Sequence, residues 1–479
     1  MKGFKACQEK HSKISKTTAP IKAMAIQNAT LMDFKEESKF FYDQNECKAK
    51  VIGIFDQDFN KIDKVIPDKH NWIVLDQTVI YANCGGEVSD WGWIEVGGNK
   101  LKVYDAIKGP NGQHFHSIIG TKGLDITIYT NVIVSLDLKA KNIIAATHTC
   151  EHLMQAALQQ TVSKEIKQMG ALKNHHKLTF DFQYHKKLTD EQLDQVEDLI
   201  NKWIKQALPT TTHMKTLQEA QAMGALAYFE EVYAKVKGKL RVVQVGNVSI
   251  EICAGRHVAN TKDIGQFHIL KLTSKGSGAW RIEAIASNEN TIATINELNS
   301  ELETRLANIN KQVQDNEFKD EIVNKIKQIK LSQDWKQTKV NKITLDQLEK
   351  EFDKALTDFK VSKVKKEVND FVNNLKVNED QPYNVIILNN ASSSFIFNLP
   401  RTLLDKYQNN GFVILNITDK LSYIVCKSAK AKVEKANVII NELNKITSGR
   451  GGGKDTYAQG STPNINNQDK IVEYVKTIK

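Results

Sequence analysis

His148-Thr149-Cys150-Glu151-His152 and, far downstream, Cys253-Ala254-Gly255-Arg256-His257 are the two stretches on which the reading of this chain turns. On a helix, positions i and i+4 share a face. His148 and His152 can therefore offer two nitrogens to one ion, and Cys253 and His257 repeat the spacing with a sulfur. Four nitrogen and sulfur donors suit the tetrahedral preference of Zn²⁺. One His-x-x-x-His pair alone is commonly two solvated imidazoles on a helix face. The second pair tips the balance toward a shared metal, because it follows the apolar, strand-like run Val248 to Ile252.

Outward from these dyads, residues 141 to 165 have helical periodicity, with Leu153, Ala156, Ala157 and Val162 on one side. Lys177 to Phe182 alternates as a strand, 188 to 206 reads as a helix, and Leu240 to Val245 returns to strand. Residues 141–288 therefore read as an α+β zinc-binding domain holding both ligand pairs. Before it, Ala49 to Ile54, Trp72 to Asp76, Thr78 to Tyr81, Trp91 to Val96 and Ile126 to Tyr129 are short β-like runs separated by Gly and Asn turns. They predict a small β-barrel-like or open β-domain over 47–140. Residues 1–46 read as a polar helical tail ending in Phe40-Phe41-Tyr42.

After the metal-type domain the pattern changes. Ile292, Ile295, Leu298, Leu302, Leu306, Ile309 and Val313 recur at steps of three and four, as do Leu345, Leu348, Phe352 and Phe359 and then Val361, Val364, Val368, Phe371 and Leu375. Two long amphipathic helices folding back on each other, a helical hairpin linker over 289–378, account for this. A spacer or dimerisation arm and a plain helical bundle are equally compatible roles. The last stretch, 379–479, reads as an α/β unit with strands at Asn384 to Leu388, Gly411 to Leu415 and Tyr423 to Cys426 and a helix from about Ser428 to Leu443. Its loop Gly449-Arg450-Gly451-Gly452-Gly453-Lys454-Asp455 is not a Walker A motif, because Ser448 stands at the first glycine position and Asp455 follows the Lys. Glycines there let backbone approach a phosphate or RNA backbone; a surface loop is the plainer alternative.

Composition sets the frame. The 479 residues are enough for two to four domains, and 41% hydrophobic content is enough for packed cores. The formal charge of +10, almost all of it Lys, suits a polyanionic partner but is not concentrated in one block. Six scattered cysteines form no disulfide-like framework, and no apolar run or leader pattern points to a membrane. A cytoplasmic protein is expected.

These residues together resemble a family. Leu75 to Gly92, Thr147 to His152, Lys177 to Phe182, Ala222 to Phe229, Cys253 to Val258, Ile264 to Phe267, Trp280 to Ala284 and the Gly-rich loop with Ala458-Gln459-Gly460 follow the order seen in the C-terminal half of alanyl-tRNA synthetases. That half comprises an editing domain, helical linker and C-terminal domain, and is related to free-standing alanyl-tRNA editing proteins. The resemblance implies zinc at His148, His152, Cys253 and His257, and hydrolysis of the ester of mischarged Ser-tRNA(Ala) or Gly-tRNA(Ala). It makes Thr78 the candidate that recognises the serine hydroxyl, and Gly451, Gly452, Gly453 and Lys454 candidates for tRNA contact. It also implies tRNA(Ala) as partner, a homodimer through linker and C-terminal domain, and a separate aminoacylation half. No class II aminoacylation core is read in this chain, so ligase activity is not expected from it alone. It is read as a free-standing editing protein, half of a split synthetase or a stretch of a longer one.

Three departures stand out. The family usually has Gln at Glu87, Thr at Glu151 and Thr at Arg256. Glu87 and Glu151 become candidate catalytic carboxylates and Arg256 a candidate contact for the terminal phosphate. The alternative is a tRNA-binding module with a degenerate site and structural zinc. A remote one is an inverted His-x-x-Glu-His metalloprotease, which would need a third ligand of another kind.

Overall fold

In the computed structural model, residues 29–227, 233 and 238–478 are described. The expected tail over 1–46 lies largely outside them, as do Tyr228 and Phe229. The chain divides into two compact units, Met1–Glu297 and Leu298–Lys479, and it is mixed α+β.

The first unit opens with a short helix α1 (Ala29–Asp33) and strand β1 (Lys39–Phe40). Strands β2 (Glu46–Asp56), β3 (Asn71–Leu75), β4 (Gln77–Thr78), β5 (Gly92–Val96), β6 (Asn99–Val103), β7 (Ala106–Lys108), β8 (His114–Ile118) and β9 (Asn131–Leu136) follow. Seven of them form one sheet in the order β6-β5-β9-β2-β3-β8-β7. Strand β2 organises it: Glu46 to Lys50 pairs with β9, Val51 to Asp56 with β3, and the register slips between Val51 and Gly53. A bulge there bends the sheet. A side chain at Gly53 would meet Phe34 Cζ at 2.8 Å and would have to push that ring aside. The sheet curls but stays open, with β6 and β7 as its edges.

Two predicted strands fall differently. Ile126 to Tyr129 makes only an isolated bridge, Thr127 to Lys64, and then turns, with Tyr129 at a left-handed φ of 69°. The strand comes just after, as β9. Thr78 to Tyr81 leaves the ladder after β4, which pairs in parallel with β1. Side chains have taken the backbone N–H groups beyond it: Ile80 N–H donates to Thr78 Oγ1 and Tyr81 N–H to the Asp90 carboxylate.

Helix α2 (Leu138–Thr161) begins at Asp137, whose carboxylate caps Ala140 N–H. Ile144 to Gln155 are all buried, so polar residues on any side of it need partners. Strands β10 (Gln168–Lys173) and β11 (Leu178–Gln183), helix α3 (Asp190–Lys205), strand β12 (Thr210–Lys215), helix α4 (Leu217–Ala222), strands β13 (Leu240–Val245) and β14 (Ser249–Ile252), and the long hairpin β15 (Phe267–Gly276) and β16 (Ala279–Ala286) complete the domain. They form an antiparallel sheet β10-β11-β16-β15 and a three-stranded sheet β12-β13-β14. Leu153, Ala157, Phe180, Phe182, Val196, Ile200 and Ile282 share its core.

Helix α5 (Asn288–Asn316) carries the chain across the division. In the second unit a short helix α6 (Glu321–Lys327) and a helix of 40 residues, α7 (Trp335–Asn374), follow. The expected hairpin is not what forms. Glu301 meets Lys342, Arg305 meets Asp346 and Glu349, and Phe318 meets Phe352 and Phe359. Contacts that advance together along both helices mean that α5 and α7 run parallel. The return is made by α6 and the extended residues after it, whose Ser332 carbonyl accepts from Asn299. Periodicity gives each helix its face and says nothing about direction. The interface core is Leu302, Ile309, Ile322, Val323, Ile326, Leu345 and Leu356.

The C-terminal end of α7 does not stop at a linker. Val368 and Val372 join the core of the last sheet. That sheet has strands β17 (Tyr383–Asn389), β18 (Gly411–Ile417) and β19 (Leu421–Lys427), with helices α8 (Ser393–Lys406) and α9 (Ala436–Thr447), then β20 (Arg450–Gly453), β21 (Tyr457–Thr462) and helix α10 (Gln468–Lys476). Its order is β17-β18-β19-β21-β20, parallel only between β17 and β18. Helix α9 starts eight residues later than the sequence reading placed it, with Ala436 N–H held by Asp455 O.

Candidate metal centre

Helix α2 presents His148 and His152 one turn apart, both buried. Strand β14 ends at Ile252, and the chain then turns so that Cys253 and His257 face them. Arg241 on the neighbouring β13 shapes this turn by donating to the Cys253 and Gly255 carbonyls at 3.0 and 2.9 Å. One ligand atom from each of the four residues lies within 4.8 Å of the others. Cys253 Sγ is 3.3 Å from His148 Nε2 and 3.3 Å from His257 Nε2. Ligands of a tetrahedral zinc ion stand about 3.3 to 3.8 Å apart, given bonds of about 2.0 to 2.3 Å, so a modest contraction brings the four into the ion's reach.

The surrounding groups orient the rings. Glu87 accepts from His148 Nδ1, which leaves Nε2 unprotonated toward the cluster. His257 Nδ1 donates to Thr149 Oγ1 at 3.1 Å, and that hydroxyl spends its own hydrogen on Ala145 O at 2.8 Å. A carboxylate or hydroxyl behind a metal-ligating imidazole fixes tautomer and ring plane. His152 Nδ1 is buried without a hydrogen-bond partner. Gly255 is indispensable in the turn, since a Cβ there would meet His148 Cε1 at 2.1 Å and Glu87 Oε2 at 2.3 Å.

Burial sets the protonation of the site. Burial, then Lys173, pushes His148 down to about 3, while burial pushes the Cys253 thiol up to about 12 and Glu87 up to about 8 against the pull of Lys173. Burial drives His152 and His257 well below the ordinary imidazole range. Neutral imidazoles are what a metal needs; the thiol must give up its proton when an ion binds. The donor set of three imidazoles and a thiol therefore fits Zn²⁺, and His148, His152, Cys253 and His257 are the residues that would hold it.

The departures from the family pattern are buried and paired. Glu151 forms an ion pair with Lys173 at 2.9 Å and lies 3.3 Å from His148 Nε2. Lys173 is 2% exposed and also donates to Gly85 O. Arg256 is 3% exposed; its Nε meets Asp90 Oδ2 at 2.6 Å, and its other nitrogens donate to the carbonyls of Tyr42 and Val79. Asp90 is pushed up to about 6 by burial, against Arg256. Thr78 is fully buried, donating to His116 Nε2 at 2.9 Å and accepting from Ile80 N–H. One oxygen lone pair remains on it.

Gly451, Gly452, Gly453 and Lys454 stand elsewhere, exposed in the second unit. The stretch read as a loop is edge strand β20. Gly451 and Gly453 approach β21 so closely that a Cβ would meet the carbonyls of Gln459 and Tyr457 at 2.3 Å. Sequence reasoning missed Lys173, Asp90, Arg241, Thr149 and Glu251, whose carboxylate lies 3.7 Å from His152 Nε2. The signal was faint: Glu251 is a charge inside a mostly buried strand, while Lys173 is the one buried residue of its own strand.

Comparison with known proteins places this arrangement among the aminoacyl-tRNA synthetases. Residues 1–140 match the family model described as tRNA synthetases class II (A), residues 240–283 the second additional domain of threonyl and alanyl tRNA synthetases, and residues 365–478 the DHHA1 domain. The alanine–tRNA ligase of Malacoplasma penetrans is 33% identical over 98% of this chain and 50% of its own length. That of Acholeplasma laidlawii is 32% identical over 99% and 52%. The C-Ala domain of Aquifex aeolicus alanyl-tRNA synthetase is 22% identical, covers 21% of this chain and 93% of its own, and has a TM-score of 0.20. The chain belongs to the alanyl-tRNA synthetase family, and it spans about half the length of the curated relatives it matches. Among the described residues no helix is long and apolar enough to cross a membrane.

Proposed function

We propose that the first unit hydrolyses the aminoacyl ester of mischarged Ser-tRNA(Ala) or Gly-tRNA(Ala) at the His148, His152, Cys253, His257 cluster. The convergence of two remote dyads into one donor set, with the His148 and His257 rings each held by an orienting partner, carries this reading. Zinc bound there would supply positive charge beside the ester. Glu87 and Thr149 hold the imidazoles in the ligand tautomer and act as positioning residues. Glu151, ion-paired with Lys173, is the carboxylate that can draw a proton from an attacking water. Arg256 works from beneath, locking the Cys253 turn to the Val79 and Tyr42 backbone. The free lone pair on Thr78 is the acceptor a serine hydroxyl would meet and an alanine methyl would leave empty. The exposed Gly451 to Lys454 edge, the parallel helices and the last sheet would carry tRNA(Ala) contact and a homodimer.

One observation favours a second reading. Four protein ligands fill a tetrahedral ion, and closed sites are the structural kind. In that case the chain is a tRNA-binding module and the metal only braces the fold. Deacylation of Ser-tRNA(Ala) by wild type and by His148→Ala decides. Activity in the first and none in the second is expected; tRNA binding by both with hydrolysis by neither would leave only the binding module.

A further inference from the structure

The outer face of one sheet edge gathers three aromatic rings around a single lysine. Core residues Ile94, Val96, Leu101 and Val103 point inward from β5 and β6. Strand side chains alternate, so Trp93 on β5 and its cross-strand partner Lys102 on β6 point out. Trp91 and Tyr104 flank them at 6.0 Å between ring centroids, and Tyr104 is 59% exposed. Lys102 Nζ sits 4.6 Å from the Tyr104 ring, 5.8 Å from Trp93 and 5.9 Å from Trp91. Behind them, His175 stacks on Trp91 at 4.1 Å.

This patch is tied to the metal-type centre on both sides. Trp91 directly follows Asp90, the partner of Arg256 beside His257. Its carbonyl accepts from the N–H of Asp137, which caps the ligand-bearing helix α2. His175 stands two residues beyond Lys173, the partner of Glu151. The stacked pair is thus joined to the cluster through Asp90 and Arg256 on one side and Lys173 and Glu151 on the other.

We propose that Trp91, Trp93 and Tyr104, with Lys102 among them, form a stacking platform for the unpaired 3′-terminal bases of the tRNA whose ester enters the cluster; this rests on the hydrolase reading for its occupant. Aromatic faces accept any base, at about 1–3 kcal/mol per stacked base, and the ammonium attracts the adjoining phosphates. Lys102 fits a polyanion in a chain of net charge +10. A cation–π cluster with no ligand is worth about 0.5–1 kcal/mol at an exposed site and would not require three partly exposed rings.

The test uses the full chain and a short, 5′-labelled single-stranded RNA ending in cytidine-cytidine-adenosine, with binding read by fluorescence anisotropy. Tyr104→Ala and Trp91→Leu are expected to raise the Kd fivefold or more, and Lys102→Gln to reduce the salt slope by about one. Zinc content and urea midpoint report whether each variant is folded. Should Trp91→Leu not fold, Tyr104→Ala decides, because its ring is largely in solvent. A Kd within twofold of wild type in the folded ring variants overturns the platform, as does equal binding of a blunt RNA duplex or no binding by wild type. The probe carries no ester, so the outcomes separate. Ring-dependent binding without deacylation of Ser-tRNA(Ala) removes the hydrolase and keeps the platform; deacylation with ring-independent binding does the reverse.

Discussion

The buried cluster of the first unit and the glycine-rich edge of the second both stand out in the sequence, yet they are built in opposite ways. The cluster consists of side chains drawn from helix α2 and the turn after β14, with His148 and His257 oriented by Glu87 and Thr149. The edge strand Arg450–Gly453 is backbone with almost no side chains, exposed along its length. In the first, chemistry is fixed by burial and partners; in the second, only the closeness of two strands is fixed. Substitutions should therefore act on metal and hydrolysis in one region and on local stability in the other.

The largest contrast comes from removing a ligand. His148→Ala should lose the bound zinc, measured as metal per chain after dialysis, and bring Ser-tRNA(Ala) deacylation to background. Lys454→Ala should leave both unchanged. If the glycine edge proved equally necessary for metal, the division between the regions would fail.

Next in size is Arg256→Ala. It strands the Asp90 carboxylate and the carbonyls of Val79 and Tyr42 in the interior. Leaving one member of a buried pair uncompensated costs about 3–5 kcal/mol, read as a lower urea midpoint. A loss under about 1 kcal/mol would mean that the guanidinium is free for a ligand after all.

A smaller effect is expected behind the metal. Glu87→Ala removes the acceptor for His148 Nδ1 and should weaken zinc binding about 10- to 100-fold in a competition titration with a chelator. Glu87→Gln retains an acceptor oxygen and should weaken it less. Equal affinities would make Glu87 a bystander to the ligand.

The smallest pair sharpens the other region. Gly451→Ala drives a methyl into Gln459 O and should cost about 1–3 kcal/mol. Gly452→Ala meets nothing within 4 Å and should stay within about 0.5 kcal/mol.

The four clustered residues were legible because metal chemistry restricts residue type; helical geometry sets the spacing of His148 and His152, whereas Cys253 and His257 share that spacing in a turn after β14. Long helices were legible for the same reason, as were most of the strands with alternating burial. The partners of Glu87, Glu151 and Arg256 were not: each is buried against a group that only folding brings to it.

Sequence by itself determined the four donors, the α+β character and the amphipathic faces of α5 and α7, because these depend on local period and residue chemistry. Tertiary structure alone decided that the dyads meet, that Lys173 and Asp90 neutralise their neighbours, that α5 and α7 run parallel, and that the glycine stretch is a strand edge. Those outcomes depend on burial and on partners brought together by folding, and an interior charge or an unpaired strand accepts whichever partner the packed chain delivers.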